Sequence, residues 1–396
     1  WTMCFGSSCP LERHFAQNTS SSDGRDMGAA IGAALGGDVG AAIGAASGTA
    51  CCASEDLGVA MPPLPPELGM DCGDDQLTTD VTLLPELQGA KYSGVCLGPD
   101  DKLYYCPYEA DCVAVFDPEA KELSFIYHPR LRGPKKYLGI CGGPDGRLYC
   151  APASACSVLV INPRAGLTEG ALSFIDGLGG GEDKYSDICL APSGQLCCCP
   201  FQSDKVLVVD PWTQSVSYIE GAGTGYMGIC LAPDGQLYCA PFASACVLVV
   251  NLDAADGRKL SFIAGEGMVG EGRYVGIAAA PNGKLYCAPW NATEVLAIDP
   301  SGQEDPPFTF IADAGEGERK YHGLCAAADG KLYCAPHGAS KMLVIDPVSE
   351  RLAYVEHLGY DKAKYRGICQ GPSGGWLHCA PWDAPGLLAV KMQTSR

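Results

Sequence analysis

Seven positions in the sequence share one context, each directly following a Tyr that recurs along the chain. They are Ser93, Leu138, Ser186, Met227, Val275, His322 and Arg366. His322 and Arg366 are consecutive members of this set, and each has a Lys two residues before it, Lys320 and Lys364. Imidazole and guanidinium groups at one centre favour an anion, so this pair predicts a small binding site for a carboxylate, including an acidic side chain of a partner.

The position directly after each of these seven residues is Gly in six cases and Asp187 in the third. Asp187 is therefore the one acid among these positions. Paired carboxylates for acid–base chemistry or for a metal are therefore missing from this pattern. The sequence also lacks a nucleophile elbow, a P-loop and a dinucleotide fingerprint. We expect no catalytic residue, no metal and no cofactor. The alternative interpretation of Asp187, His322 and Arg366 is that they are solvated residues at a rim.

The recurring Tyr marks a repeat that must position these side chains. The seven copies are Tyr92, Tyr137, Tyr185, Tyr226, Tyr274, Tyr321 and Tyr365, separated by 45, 48, 41, 48, 47 and 44 residues. Units of 40–50 residues are typical of propeller blades. The sequence therefore predicts an all-β fold, a seven-bladed β-propeller of four-stranded antiparallel blades.

The second copy shows why each unit is a blade. "KYLGICGG" (136–143) is a short apolar strand, and Pro144-Asp145-Gly146 then turns the chain into "RLYCAP" (147–152). Two further strands follow, "SVLVINP" (157–163) and "ALSFIDG" (171–177). One four-stranded sheet cannot bury both of its faces, whereas blades stacked around an axis cover each other.

The hairpin "GICGGPDGRLYCAP" (139–152) carries a resemblance that covers residues 79–396. It resembles the propeller families of NHL-repeat, gluconolactonase-like and virginiamycin B lyase-like proteins. Its Ala- and Cys-rich form looks most like the propeller arrays of dinoflagellate-type algae. In the gluconolactonase-like and lyase-like families, acids, Asn or His at the channel mouth bind a metal or act as a base, so the resemblance implies that the channel mouth is the place to look for a site.

The 23 cysteines invite three interpretations: small buried residues, disulfides, or metal ligands. With a three-residue turn, Cys141 faces Tyr149 and Cys150 faces Ile140, so the two sulfurs lie on opposite faces of the hairpin. The same alternation separates Cys198 from its two Cys neighbours. We therefore expect buried thiols, with disulfides in some blades as the alternative, and no zinc site.

Composition divides the chain near residue 90. Residues 1–90 carry 12 acids and 2 bases, whereas residues 91–396 carry 34 acids and 25 bases. We predict an N-terminal extension over 1–60, a Pro-rich acidic linker over 61–77 and the propeller over 78–396. Blade seven lacks a fourth strand at the C-terminus, so residues 80–84 are predicted to supply its closing strand and to protect its edge.

A stripe of glycines defines the segment 27–50 within the extension. Gly28, Gly32, Gly36, Gly40, Gly44 and Gly48 fall every fourth residue. On a helix these would form a smooth face suited to close helix contact, but Gly disfavours an isolated helix. Packing against protein, insertion into a membrane, disorder and a break into a helical hairpin all remain open, although Asp38 makes insertion costly.

Two classes of function follow. The first is a non-catalytic interaction or scaffold propeller, an accessory subunit docked into a larger assembly through its extension and bound to other protein subunits. The second is a lactonase or lyase acting at the channel mouth. The net charge of −19 argues against a nucleic-acid partner, and membrane contact is expected only through residues 27–50.

Overall fold

We describe the fold from a computed structural model of the chain, for residues 81–83, 91–355, 363–384 and 386–392. The glycine-rich segment 27–50, the extension 1–60 and the linker 61–77 lie outside these residues. The architecture is the predicted one, an all-β propeller of seven four-stranded antiparallel blades. Three short 3₁₀ turns interrupt the loops, at Pro129–Leu131, Pro163–Ala165 and Glu169–Ala171.

Each blade begins at its repeat Tyr with the innermost strand and runs outward. Blade one consists of β2 (Tyr92–Leu97), β3 (Leu103–Pro107), β4 (Cys112–Asp117) and β5 (Glu122–Tyr127). Blade two consists of β6 (Tyr137–Gly142), β7 (Leu148–Pro152), β8 (Val158–Ile161) and β9 (Leu172–Ile175). Blade three consists of β10 (Tyr185–Leu190), β11 (Leu196–Pro200), β12 (Lys205–Asp210) and β13 (Ser215–Glu220). Blade four consists of β14 (Tyr226–Leu231), β15 (Leu237–Pro241), β16 (Cys246–Val250) and β17 (Leu260–Ala264). Blade five consists of β18 (Tyr274–Ala279), β19 (Leu285–Pro289), β20 (Val295–Ile298) and β21 (Phe308–Ile311).

Blade six consists of β22 (Tyr321–Ala326), β23 (Leu332–Pro336), β24 (Met342–Asp346) and β25 (Arg351–Val355). Blade seven is built from both ends of the propeller sequence: β26 (Tyr365–Gln370), β27 (Trp376–Pro381), β28 (Leu388–Lys391) and β1 (Val81–Leu83). β1 pairs antiparallel with β28, with Thr82 opposite Ala389. A strand from the start of the propeller therefore covers the outer edge of the last blade.

The inner hairpins have the register expected for a three-residue turn. In blade two Cys141 lies opposite Tyr149 and Ile140 opposite Cys150, which confirms the prediction. Gly146 closes the turn at φ +76°, a left-handed conformation that glycine adopts without strain. The Tyr149 hydroxyl donates to Asp145 at 2.8 Å, and Tyr104, Tyr238 and Tyr333 repeat this bond to the turn Asp of their own blades.

Cysteines fill the interfaces between blades. The structure describes 18 of them as thiols without a disulfide, and all except Cys156 are buried. Cys198 packs in the core shared with blade two, whereas Cys197 and Cys199 pack in the core shared with blade four, as the alternation predicted. Burial raises the pKa of the Cys197 thiol to about 12, so it is protonated at neutral pH. These thiols behave as small apolar side chains.

The innermost strands approach one another through glycine. A Cβ on Gly323 would lie 2.5 Å from the Arg366 carbonyl oxygen of the next blade, and one on Gly367 would lie 2.8 Å from the Gly94 Cα. Gly228 and Gly276 show the same closeness across blades four, five and six. Backbone therefore packs on backbone around the axis, and a side chain at these positions would push neighbouring blades apart.

Replacing Gly323 with Ala tests this constraint. Because the added methyl group meets a backbone carbonyl that cannot rotate away, we expect a loss of about 1–3 kcal/mol in unfolding free energy, measured by urea denaturation. Gly179→Ala is the matched control, since an added Cβ at this exposed loop position has no neighbour within 4 Å. Equal stability of the two variants would contradict the close packing of the inner strands.

Candidate functional site

The seven residues after the repeat Tyr form a ring around the channel, which we call the inner ring. Six of them line the central cavity together with Asp187: Ser93, Leu138, Ser186, Met227, Val275 and His322. The space open to the centres of water molecules in this cavity is about 40 Å³. This is room for a few waters, far below the few hundred Å³ of a typical small-molecule site. The described cavity is therefore small for a site that encloses a ligand.

The serine hydroxyls of the inner ring are occupied by the protein itself. The Ser186 hydroxyl donates to the Tyr226 carbonyl at 3.0 Å, across the boundary to the next blade. The Ser93 hydroxyl donates to the carbonyls of Tyr137 and Leu138. These hydroxyls join neighbouring blades, because each donates its proton to backbone carbonyls of the next blade.

The three predicted site residues do not form one cluster. Asp187 lies in blade three, where its Oδ1 accepts from the Ile188 amide at 2.9 Å. Arg366 is absent from the cavity lining and stacks outward, with its guanidinium 3.2 Å from the ring centre of Trp382. His322 faces the cavity and contacts the indole of Trp290 edge to face, at 5.6 Å between ring centres. His322 and Arg366 lie in adjacent blades, and Asp187 lines the same cavity as His322 from blade three.

His322 and Arg366 are polar groups left without a partner. Arg366 Nε and His322 Nε2 are shielded from solvent and accept or donate no hydrogen bond within the described residues. No carboxylate in that part of the chain lies within ion-pair distance of Arg366. Both side chains are partly exposed, and these two nitrogen atoms are the shielded part of each. A shielded guanidinium without an ion-pair partner would be stabilised by an external anion.

The protonation states of this pair differ. Burial, followed by the charge of Arg366, lowers the pKa of His322 well below its usual value, so the imidazole is neutral at pH 7. Burial lowers the pKa of Arg366 to about 10, which leaves it charged at neutral pH. Arg366 therefore supplies the positive charge, and His322 supplies a neutral hydrogen-bonding group.

Lys320 and Lys364 do not contribute to the predicted anion site. The Lys320 ammonium donates to the Ala292 carbonyl at 2.6 Å, and the Lys364 ammonium donates to the Ala339 carbonyl at 2.8 Å. Both lysines are buried, and Lys136 bonds the Tyr108 carbonyl in the same way at 3.1 Å. These side chains hold neighbouring blades together, because each reaches from the start of its own blade to a loop of the preceding blade.

A second ring, which the sequence interpretation missed, surrounds the channel mouth. The residue after the Pro that ends the second strand is aromatic in six blades and Ala153 in the other. We call these six the aromatic collar: Tyr108, Phe201, Phe242, Trp290, His337 and Trp382. Three pairs of collar neighbours touch, with ring centres 4.7 Å apart for Tyr108–Trp382, 4.9 Å apart for Trp290–His337 and 5.7 Å apart for Phe201–Phe242. The recurrence of an aromatic residue after the Cys-Pro or Cys-Ala-Pro that ends the second strand was the signal available in the sequence.

His337 links the collar to the inner strands. Its Nδ1 lies 3.0 Å from the Tyr365 carbonyl of blade seven, so this nitrogen carries the proton that it donates. Burial and the charge of Arg366 lower the pKa of His337 to about 4. The ring is thus a neutral aromatic surface between Trp290 and Arg366.

Comparison with known proteins gives likeness of fold. No protein-family model and no curated protein matches the sequence. Among solved structures, virginiamycin B lyase from Staphylococcus aureus superposes with a TM-score of 0.66 at 14% identity, over 80% of this chain and 100% of that chain. A streptogramin B lyase gives 0.64 at 13%, over 80% and 97%. A putative gluconolactonase gives 0.47 at 13%, over 80% and 94%. At such identities the shared property is the propeller fold.

Among the described residues, no group of three His, Cys, Asp or Glu side chains is placed to hold a metal ion. The same part of the chain contains no helix long and apolar enough to span a membrane.

Buried histidines make stability depend on pH. His378 takes the place of the Tyr that bonds the turn in other blades, and burial lowers its pKa to about 4. Its folded pKa lies below its unfolded value near 6.5, so its contribution is present above pH 6.5 and is lost as the pH falls toward 4. We expect His378→Tyr to remove about 1–2 kcal/mol of the loss in unfolding free energy between pH 7 and pH 5. An equal loss in variant and unmodified protein, by urea denaturation, would show that His378 is not responsible.

Proposed function

We propose that the protein is a non-catalytic docking propeller that binds an acidic group of a protein partner at its channel mouth. The observation that supports this most is Arg366, a charged guanidinium stacked on Trp382 without an anionic partner in the described residues. Burying such a charge is costly unless an anion completes it. A carboxylate brought by a partner would do so, and the charge-assisted bond would fix its orientation.

The electrostatics of the mouth limit what can bind. Lys91, whose ammonium lies 5.2 Å from the ring centre of Trp382, pairs with Glu109 at 3.5 Å and with Asp383 at 3.4 Å, so its charge is already neutralised. Asp183 is paired with Lys135 at 3.5 Å. Arg366, like Arg273, has a shielded Nε without a hydrogen-bonding partner among the described residues, and its guanidinium stacks on the collar residue Trp382. One negative charge suits this arrangement better than a polyanion, which would meet the neighbouring acids.

We also propose that the extension, residues 1–60, docks the propeller into a larger assembly. Its support is the stripe of glycines in residues 27–50, which suits close packing on another protein surface. The two proposals assign separate roles, one to the extension and one to the mouth.

A pull-down from extracts of the source cells tests both roles. We compare the unmodified chain, a chain lacking residues 1–60, and Arg366→Gln. We expect the deletion to lose the assembly and Arg366→Gln to lose at least one partner while keeping the others. Arg366→Lys, which keeps the charge, serves as the matched control and should recover part of the binding. Identical partners for all four proteins would end the docking proposal.

The second candidate function is a lyase acting at the channel mouth. His322 favours it, because an imidazole without a hydrogen-bonding partner at Nε2 faces the cavity of a fold shared with virginiamycin B lyase. The lowered pKa of His322 argues against the lyase function, since an efficient general base has a pKa near the working pH. A structure of an inactive form of that lyase contains quinupristin. We expect no cleavage of quinupristin by this protein in mass spectrometry, and His322-dependent turnover would replace docking with catalysis.

A further inference from the structure

The aromatic collar extends the docking proposal, because two of its rings lie against the Arg366 guanidinium, which has no ion-pair partner among the described residues. Arg366 lies over Trp382 at 3.2 Å and near Tyr108 at 5.5 Å, so the guanidinium edge points into an aromatic environment. On the other side of His322 stand Trp290 and His337. Cation, neutral donor and four aromatic rings therefore belong to four consecutive blades: five, six, seven and one.

The collar also leaves aromatic surface open to solvent. Trp290 and Trp382 are half-buried, as are Phe201 and Phe242 on the opposite side of the mouth. Tyr108 and His337 are buried beneath them. Large aromatic side chains that remain partly exposed around a shielded polar group are the usual composition of an interface centre.

The narrow cavity below the collar excludes a bulky group from the channel. A ligand must keep its anion near Arg366 while its apolar part stays at collar level. A short connection between carboxylate and ring satisfies both demands. The acids Glu109, Asp183 and Asp383 around the mouth further disfavour a ligand with several negative charges.

We propose that the docking element is the C-terminus of a partner chain that ends in an aromatic residue. Its α-carboxylate would pair with the Arg366 guanidinium, and its ring would pack against Trp382 and Trp290. A chain terminus supplies one carboxylate within a few bonds of the ring and needs no acidic side chain. This inference rests on the proposed function, to which it adds the chemistry of the partner.

Three small probes separate the two parts of the ligand. N-acetylphenylalanine carries carboxylate and ring, N-acetylphenylalanine amide carries the ring alone, and N-acetylglycine carries the carboxylate alone. In ligand-observed NMR titrations of the full chain, we expect the first to bind at least tenfold more tightly than either of the others. The internal dipeptide acetyl-Glu-Phe-amide should bind more weakly than N-acetylphenylalanine, because its carboxylate lies on another residue.

Variants locate the binding. Trp382→Leu should weaken N-acetylphenylalanine at least tenfold, and Trp382→Phe should retain most of the affinity. Trp212→Leu is the matched control, because Trp212 is 69% exposed on the turn between β12 and β13 and lies outside the collar. Arg366→Gln should abolish the difference between N-acetylphenylalanine and its amide. Melting temperatures establish that each variant is folded, and Trp290→Leu replaces Trp382→Leu if the latter does not fold.

The possible outcomes distinguish the C-terminal aromatic ligand from carboxylate docking at Arg366, on which it rests. If N-acetylphenylalanine and N-acetylglycine bind equally and both depend on Arg366, the aromatic specificity is wrong while carboxylate docking stands. If the internal dipeptide binds as tightly as N-acetylphenylalanine, the C-terminal assignment is wrong. If no probe depends on Arg366, both proposals fail.

Discussion

The close approach of the innermost strands is the constraint on which the rest of the structure depends. Glycine follows the inner-ring residue in six of the seven blades, and at Gly323 and Gly367 an added Cβ would collide with the backbone of the next blade. Seven strands can then pack around one axis with little space between them. The space left in the channel has room for a few waters. We therefore place the proposed recognition at the mouth, where the residues that follow the second strands carry large side chains.

The same packing decides which polar groups remain available. Serine hydroxyls of the inner ring and the buried lysines donate hydrogen bonds to carbonyls of neighbouring blades. These bonds hold the blades together. Arg366 and His322 contact aromatic rings of the collar, and Arg366 Nε and His322 Nε2 have no hydrogen bond to a carbonyl within the described residues. An aromatic face stabilises the guanidinium but leaves its hydrogen-bond donors unmatched. This contrast between lysine and arginine is the reason why we propose the mouth beside blades six and seven as the site for an external anion.

The fold could be predicted almost completely from sequence, whereas the site could be predicted only in part. Repeat length and the three-residue turn determine the blades and their register, as Cys141 opposite Tyr149 shows, because both depend on neighbours along the chain. The direction of Arg366 depends on Trp382 and Tyr108, which lie in loops of two different blades. The bond of the Lys320 ammonium was not predictable for the same reason, since its carbonyl partner belongs to the preceding blade. The collar itself was readable from the aromatic residue after each strand-ending Pro.

Hydrogen–deuterium exchange is the most direct test of recognition at the mouth. The full chain is compared with and without saturating N-acetylphenylalanine, and the segments 107–110, 336–339 and 364–367 report on the collar and inner ring. The account predicts slower exchange in these segments and unchanged exchange in the hairpin turns such as 143–147, which lie at the other ends of the inner strands. Protection of those turns, or no protection around Arg366 under saturating ligand, would contradict it.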